Sequence, residues 1–392
     1  MENENKRENY ILPIVFIFMM MILAAMAENV RGVFIPLFKR DFSINDTNIG
    51  IMLTISSIGY ILSAYIGGIL CEKIGQKKVF EYGLFCIGLS LVGLGLLHNF
   101  SLFLVAMFGL NIGLSLISIA INTIIPFLFI SFQAVLMNLT HFCYGLGSTI
   151  VQRVSGILLF NGTNWRSIYL IESIIFFTFL IIFIPIKMPA VHKTSNEQQT
   201  KGKKSDLFKN KLLYFYMFAL GFYVFAEMGT GNWFINYMEK VYMFDKGKSS
   251  LYLSLFFGVF TIGRLIGGFV AEKIGYIKAV LISIIMALVI YFTGINLGPK
   301  GMVVISLSGF FFAITFPTLV LTISKVFKEN TAYATGVIVT ASSATSMILN
   351  MLMGILNDRI GDYNAYYLIP ISLAMSIIFI FAIYKNINII KD

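Results

Sequence analysis

Long apolar stretches, broken by short charged or turn-forming clusters, set the pattern of this chain. Twelve such stretches cover residues 12–38, 47–71, 79–98, 101–126, 133–160, 166–188, 211–239, 249–272, 278–295, 300–325, 331–356 and 364–386. A helix crosses a ~30 Å hydrocarbon layer in about 20 residues at ~1.5 Å each, so every stretch reads as one span. The runs are continuous rather than alternating, and lipid offers a backbone no partner outside its own helix. The pattern therefore predicts twelve transmembrane helices, an all-α membrane protein. One polar stretch, 192–210, interrupts it with six spans on either side. It is too polar to pack and reads as a cytoplasmic linker between an N-terminal bundle (1–191) and a C-terminal bundle (211–392).

Composition removes the soluble alternative. Of 392 residues, 58% are hydrophobic and only 12% charged, about half the charge of a soluble domain. The first span follows Lys6 and Arg7, but it is longer than a signal-peptide core and lacks a small-residue cleavage site, so it is expected to be a retained helix. Cys71, Cys86 and Cys143 form neither a disulfide framework nor a metal-ligand spacing and are expected to be small buried residues. The 38 Phe and 19 Met are read as lipid-facing or packing residues. With the N-terminus cytoplasmic, 18 of the 29 Lys and Arg fall in inner segments and 8 in outer ones. That excess follows the positive-inside rule and places both termini in the cytoplasm. The net charge of +10 thus speaks of topology and not of nucleic acid.

The two halves repeat. Residues 67–78 read GGILCEKIGQKK and residues 267–278 read GGFVAEKIGYIK, with seven of twelve positions identical at an offset of 200. A weaker echo, Gly354-x-x-x-Asp358-Arg359-x-Gly361, closes the fifth span of the second half. A matched Glu-Lys-Ile-Gly at the same place in both halves points to a duplicated six-helix unit, a common way to build a transporter.

Gly68-x-x-x-Glu72-Lys73-x-Gly75-x-Lys77-Lys78 resembles the G-x-x-x-D-R-x-G-x-R/K loop between helices 2 and 3 of the major facilitator superfamily. Span count, linker position and the second copy extend the resemblance over nearly the whole chain. It implies two pseudo-symmetric six-helix bundles, with Gly68, Glu72, Lys73, Gly75 and their counterparts Gly268, Glu272, Lys273 and Gly275 in conformational gating. The expected physics is close helix approach at the glycines, capping of a neighbouring helix by the acid, and a basic cytoplasmic rim. A narrower stretch, LTHFCYGLGSTIVQRVSG at 139–156, resembles helix 5 of the fucose–galactose–glucose proton symporters. EMGTGNW at 227–233 resembles their helix-7 acid and Gly-aromatic turn, and Asn29 to Pro36 and Asn122 sit where that group places polar residues. Gln152 and Arg153 depart from its helix-5 proline, and also from the Gly-Pro that drug–proton antiporters usually carry.

Charge inside a span costs roughly 2.5–3.5 kcal/mol at mid-helix on translocon scales, so each such residue needs a reason. Glu28 and Arg31 lie three apart on one face of the first span. They read as a titrating acid with a counter-charge, or as a structural ion pair. Glu227, Asn232, Trp233 and Asn236 in the seventh span offer a carboxylate, amides and an aromatic plane, which a hydroxylated ring requires; the alternative is a polar clamp between helices. His141, Tyr144, Ser148 and Gln152 form one stripe on the fifth span, read as lining a cavity or bonding neighbouring helices. Arg153, one residue off that stripe, is expected to pair with an acid such as Glu28. Asn122 and Asn350 are further substrate-binding candidates, and Glu28 and Glu227 the candidate proton-coupling acids. No phosphate loop, zinc-ligand spacing or nucleophile elbow occurs, so no metal, cofactor or enzymatic activity is expected.

The sequence therefore leads to a secondary transporter working by alternating access, with a small polar solute (a sugar or polyol) and protons as its partners. It is expected to act as a monomer in the cell membrane. A proton-driven exporter of amphipathic compounds and a transport-dead solute sensor are the competing readings.

Overall fold

The computed structural model describes residues 11–128, 133–188, 207–327 and 331–391. Most of the expected linker lies outside these. Every regular element described is helical: α1 (Ile11–Phe42), α2 (Asp46–Ile74), α3 (Gln76–Leu96), α4 (Phe100–Leu128), α5 (Gln133–Phe160), α6 (Trp165–Phe183), α7 (Lys211–Tyr242), α8 (Lys246–Ile274), α9 (Tyr276–Asn296), α10 (Met302–Phe312), α11 (Thr315–Val326), α12 (Thr331–Ile360), α13 (Asp362–Ala365) and α14 (Leu368–Lys391). A single 3-10 turn, Gly298–Gly301, precedes α10. These account for all twelve expected spans. Eleven spans among the described residues are long and apolar enough to cross a membrane. The other is α5, whose polar stripe dilutes its hydropathy.

The tenth span, expected as one helix over 300–325, is instead two. Pro317 has no N–H to give the carbonyl of Ala313, so the helix breaks between Phe312 and Thr315. The carbonyl of Phe312 at the break accepts from the Tyr223 hydroxyl at 2.7 Å.

The described helices pack into two compact units. One comprises Met1–Glu28, Ile58–Gly147 and Arg166–Lys193. In it α3 and α4 approach closely at Gly83 and Gly113, where a side chain on either would press on the other's backbone. The α6 helix lies antiparallel to α1, with Phe179 and Phe183 on Phe16 at centroid distances of 5.3 and 5.8 Å. The second unit comprises Asn29–Ser57, Ser148–Trp165 and Thr194–Asp392. Here the second part of α1, the first part of α2 and the second part of α5 join the C-terminal helices. Contacts of glycine with backbone draw them in: Gly32 on Gly231, Gly50 on Met351, and Gly354 on Asp46. Trp165 is buried against Phe34, Phe38 and Phe42 of α1.

The repeated motif acts through different glycines than close approach alone suggests. Among the described residues nothing lies within 4 Å of where a Cβ on Gly68 or Gly268 would stand, whereas the neighbours Gly67 and Gly267 face Leu116 and Ile314. The motif's last glycine does the conformational work. Gly75, Gly275 and Gly361 carry φ/ψ of 83°/156°, 92°/139° and 82°/154°, and each forms the cap of the helix that follows. That region of backbone space is essentially closed to residues with a Cβ.

Cys71 and Cys143 are buried and Cys86 half-buried, all three as free thiols.

Gly275→Ala should strain a backbone that only glycine adopts freely, at a cost of ~1–3 kcal/mol. Gly268→Ala fills open space on a helix and should be neutral. The midpoint of thermal unfolding in detergent should fall for the first and hold for the second; equal midpoints would remove the turn from the motif's role.

Candidate functional site

Polar side chains within the spans meet in three groups. The first lies in the unit that contains Glu28. Its Oε2 accepts from the Tyr144 hydroxyl at 2.5 Å, which ties α1 to α5. Close approach makes this possible, since a Cβ on Gly147, one turn on from Tyr144, would strike the Ile22 carbonyl. His141 is half-buried one turn before Tyr144 on the same helix, and Asn122 is exposed on α4.

The second group lies in the other unit and links α1, α5, α7 and α12. Arg31 Nε donates to Asn232 Oδ1 at 3.2 Å, next to the Gly32–Gly231 contact that brings α1 and α7 together. Asn350 Oδ1 accepts from Trp233 Nε1 at 3.1 Å and from Asn232 Nδ2 at 3.4 Å, while its own amide donates to the Ser346 carbonyl at 2.9 Å. Asn29 donates to Ser148 at 3.0 Å, and Gln152 donates to the Asn29 carbonyl at 3.1 Å. Trp233, Asn232, Gln152 and Asn350 are all buried. Two recesses of about 300 and 290 Å³ are lined by other residues, around Trp165 and Arg153.

Glu227 lies five residues before Asn232 on α7. Its Oε1 faces Arg264 Nη2 of α8 at 3.9 Å, and its Oε2 lies 2.7 Å from the Tyr223 hydroxyl. That hydroxyl also contacts the Phe312 carbonyl at 2.7 Å. A phenol has one proton, so the Glu227 carboxyl and the Phe312 carbonyl share a single donor. The carboxyl is thus placed between the Arg264 guanidinium and the Tyr223 hydroxyl.

The third group is an ionic cluster where α1 meets α2. Lys39 Nζ lies 2.7 and 2.6 Å from the two oxygens of Asp46, and donates to Asn236 Oδ1 at 3.0 Å. Asn236 donates in turn to Asp362 at 2.6 Å. Asp358, the acid of the motif's third copy, caps α2 by accepting from the Asp46 and Thr47 amides at 3.0 and 2.7 Å and from the Thr47 hydroxyl at 2.6 Å. Helix capping, expected at the motif acids, appears here. Glu72 and Glu272, with Lys73 and Lys273, are exposed at the ends of α2 and α8.

The structure thus joins Arg31, Asn232, Trp233 and Asn350, and separately joins Glu28 and Tyr144. Asn236, expected beside Glu227, belongs to the ionic cluster. Arg153, expected to pair with an acid, donates to the Gly247 carbonyl at 3.1 Å. Sequence reasoning passed over Tyr223, Lys39, Asp46 and Asp362, and left Arg264 without a role. Arg264 was detectable as a charge inside a span, whereas Asp46 and Asp362 looked like loop residues.

The model of the Major Facilitator Superfamily matches residues 17–348. The chain belongs to that superfamily. Among the relatives of this facilitator, the L-fucose-proton symporter of Escherichia coli (strain K12) is 23% identical, over 98% of this chain and 95% of its own length. A glucose/galactose transporter of Brucella abortus biovar 1 (strain 9-941) is also 23% identical, over 94% and 92% respectively. The crystal structure of the E. coli fucose:proton symporter shares the fold, with a TM-score of 0.66 at 21% identity over 95% of this chain and 98% of that one. The facilitator is therefore an integral membrane transporter and not an enzyme.

Lys39→Met would strand Asp46, a buried carboxylate, without its counter-charge. Breaking such a pair costs on the order of 3 kcal/mol. The thermal midpoint should drop for Lys39→Met and recover in large part in the double variant with Asp46→Asn. A double variant no better than the single would show that Lys39 acts on something other than Asp46.

Proposed function

We propose that this facilitator carries a small polar solute, a sugar or polyol, by proton-coupled symport. The observation behind this reading is the amide–guanidinium–indole group of Arg31, Asn232, Trp233 and Asn350, held inside apolar spans on three helices. Asparagine amides and a tryptophan face suit a hydroxylated ring, which wants hydrogen bonds at its edge and stacking on its face. An amphipathic drug needs a larger apolar cavity. The similarity to fucose and glucose/galactose transporters points the same way.

Glu28 and Glu227 are the coupling acids in this reading. Each pairs with a tyrosine hydroxyl within a span, a placement that lets a carboxyl gain or lose a proton as its surroundings change. The contacts of α1 and α2 with α7 and α12, sealed by the Lys39–Asp46 cluster, close one side of the membrane. With both termini cytoplasmic, that is the outer side. Opening would then move residues 1–191 against 211–392, and the buried amides would part to admit solute. One chain supplies both halves, so a monomer suffices.

The test is uptake of radiolabelled sugars, alongside a small organic anion, into proteoliposomes with and without an inward proton gradient. Accumulation of one sugar only under the gradient is expected. Glu28→Gln should abolish that accumulation and leave solute exchange running. Accumulation unchanged in Glu28→Gln would remove this acid from coupling. No sugar uptake under any gradient would sink the sugar assignment and bring forward export of amphipathic compounds.

A further inference from the structure

Glu172 of α6 is 5% exposed, and neither of its carboxylate oxygens has a hydrogen-bond partner among the described residues. Its direction follows from the helix repeat. Seven residues turn an α-helix by nearly two whole turns, so Glu172 projects within about 20° of both Trp165 and Phe179. Trp165 packs on Phe34 and Phe38 of α1, and Phe179 on Phe16 of α1. Glu172 therefore faces α1 between those contacts. Seven residues along α6 from Phe179 is about 10 Å, which on antiparallel α1 runs from Phe16 to about Leu23, next to Ala24. Ala24, Ala25 and Ala27 are buried there.

Among the described residues of α1, α3 and α6, no cation forms an ion pair with this acid. On α1, Glu28 bonds Tyr144, Arg31 bonds Asn232, Lys39 bonds Asp46, and Arg40 pairs with Asp41 at 3.2 Å. On α3, which meets α6 through Gly88 on Phe177, Lys77 pairs with Glu81 at 3.7 Å at the helix start, Lys78 and Tyr82 are exposed, and Cys86 bonds the Gly109 carbonyl. On α6 itself Arg166 donates to the Leu97 carbonyl at 2.7 Å, and Tyr169 lies one turn before Glu172. An ionised carboxylate so placed, within a span and without counter-charge, neutralises rather than remains charged.

We propose that Glu172 is a proton-binding site of this transporter, occupied in the conformation seen here. Its proton leaves as water reaches the α1–α6 seam, so release is tied to movement of α1, the helix that also carries Glu28. Leucine or glutamine would fill the same space at lower cost, which is the reason to assign the acid a task.

Infrared spectra of the purified full-length protein in lipid at neutral pH test this directly. The C=O stretch of a protonated carboxyl is expected in the wild type, to lose one carboxyl's intensity in Glu172→Gln, and to shift in Glu172→Asp. Should Glu172→Gln fail to fold, the comparison with Glu172→Asp decides alone. Spectra that superimpose in this region would overturn the proposal, since Glu172 would then be ionised beside a cation. No solute is added, so this outcome is independent of whether sugar uptake is found.

Discussion

Within a hydrocarbon layer a backbone amide has nothing to bond but its own helix, and a polar side chain has nothing to bond but another part of the protein. The first half of this constraint makes every span of the chain a helix. The second half decides how the helices meet. Arg31, Asn232, Trp233 and Asn350 come from three helices and satisfy one another, as Glu28 and Tyr144 do from two. Such bonds need backbones close together, and glycine supplies the room: Gly32 against Gly231, Gly147 against Ile22. Where the helix itself breaks, just before Pro317, a neighbour takes over. Tyr223 bonds the carbonyl of Phe312 and also reaches Glu227, so a backbone defect and a candidate proton site share one hydroxyl.

The same economy appears in the repeated motif. Three copies end in a glycine of nearly the same φ and ψ, which turns one helix into the next. In one copy the acid, Asp358, also caps a helix from the other half of the sequence, by bonding the first amides of α2. A carboxylate at a helix N-terminus meets both free N–H groups and the positive end of the helix dipole. It is a bond between the two halves of the sequence. The neighbouring Lys39–Asp46–Asn236–Asp362 chain adds charge to that closure.

Charge inside the membrane marks where the transporter's chemistry can lie, but the structure sorts those charges by what surrounds them. Glu28 has a phenol, Glu227 a phenol and a guanidinium, and Glu172 has no partner among the described residues. Three acids inside spans thus stand in three different environments.

Much of this could be read from the chain alone, because it rests on local composition. The number of spans follows from runs of apolar residues, the two halves from the Glu-Lys-Ile-Gly copies at an offset of 200, and the short list of candidates from polar residues inside spans. What tertiary structure alone decided is which residues meet. Arg31 and Asn232 are 201 positions apart, and no helical periodicity on either span says that they touch. Asn236 shares a face of α7 with Trp233, yet it faces Lys39 because the end of α1 happens to lie there. Glu172, an acid in an apolar run, drew no role from the sequence, and only its surroundings show it without a hydrogen-bond partner among the described residues. Hydrophobicity is a property each residue carries with it. A partner is a property of the fold, set by helix azimuth and by how closely two backbones are allowed to approach.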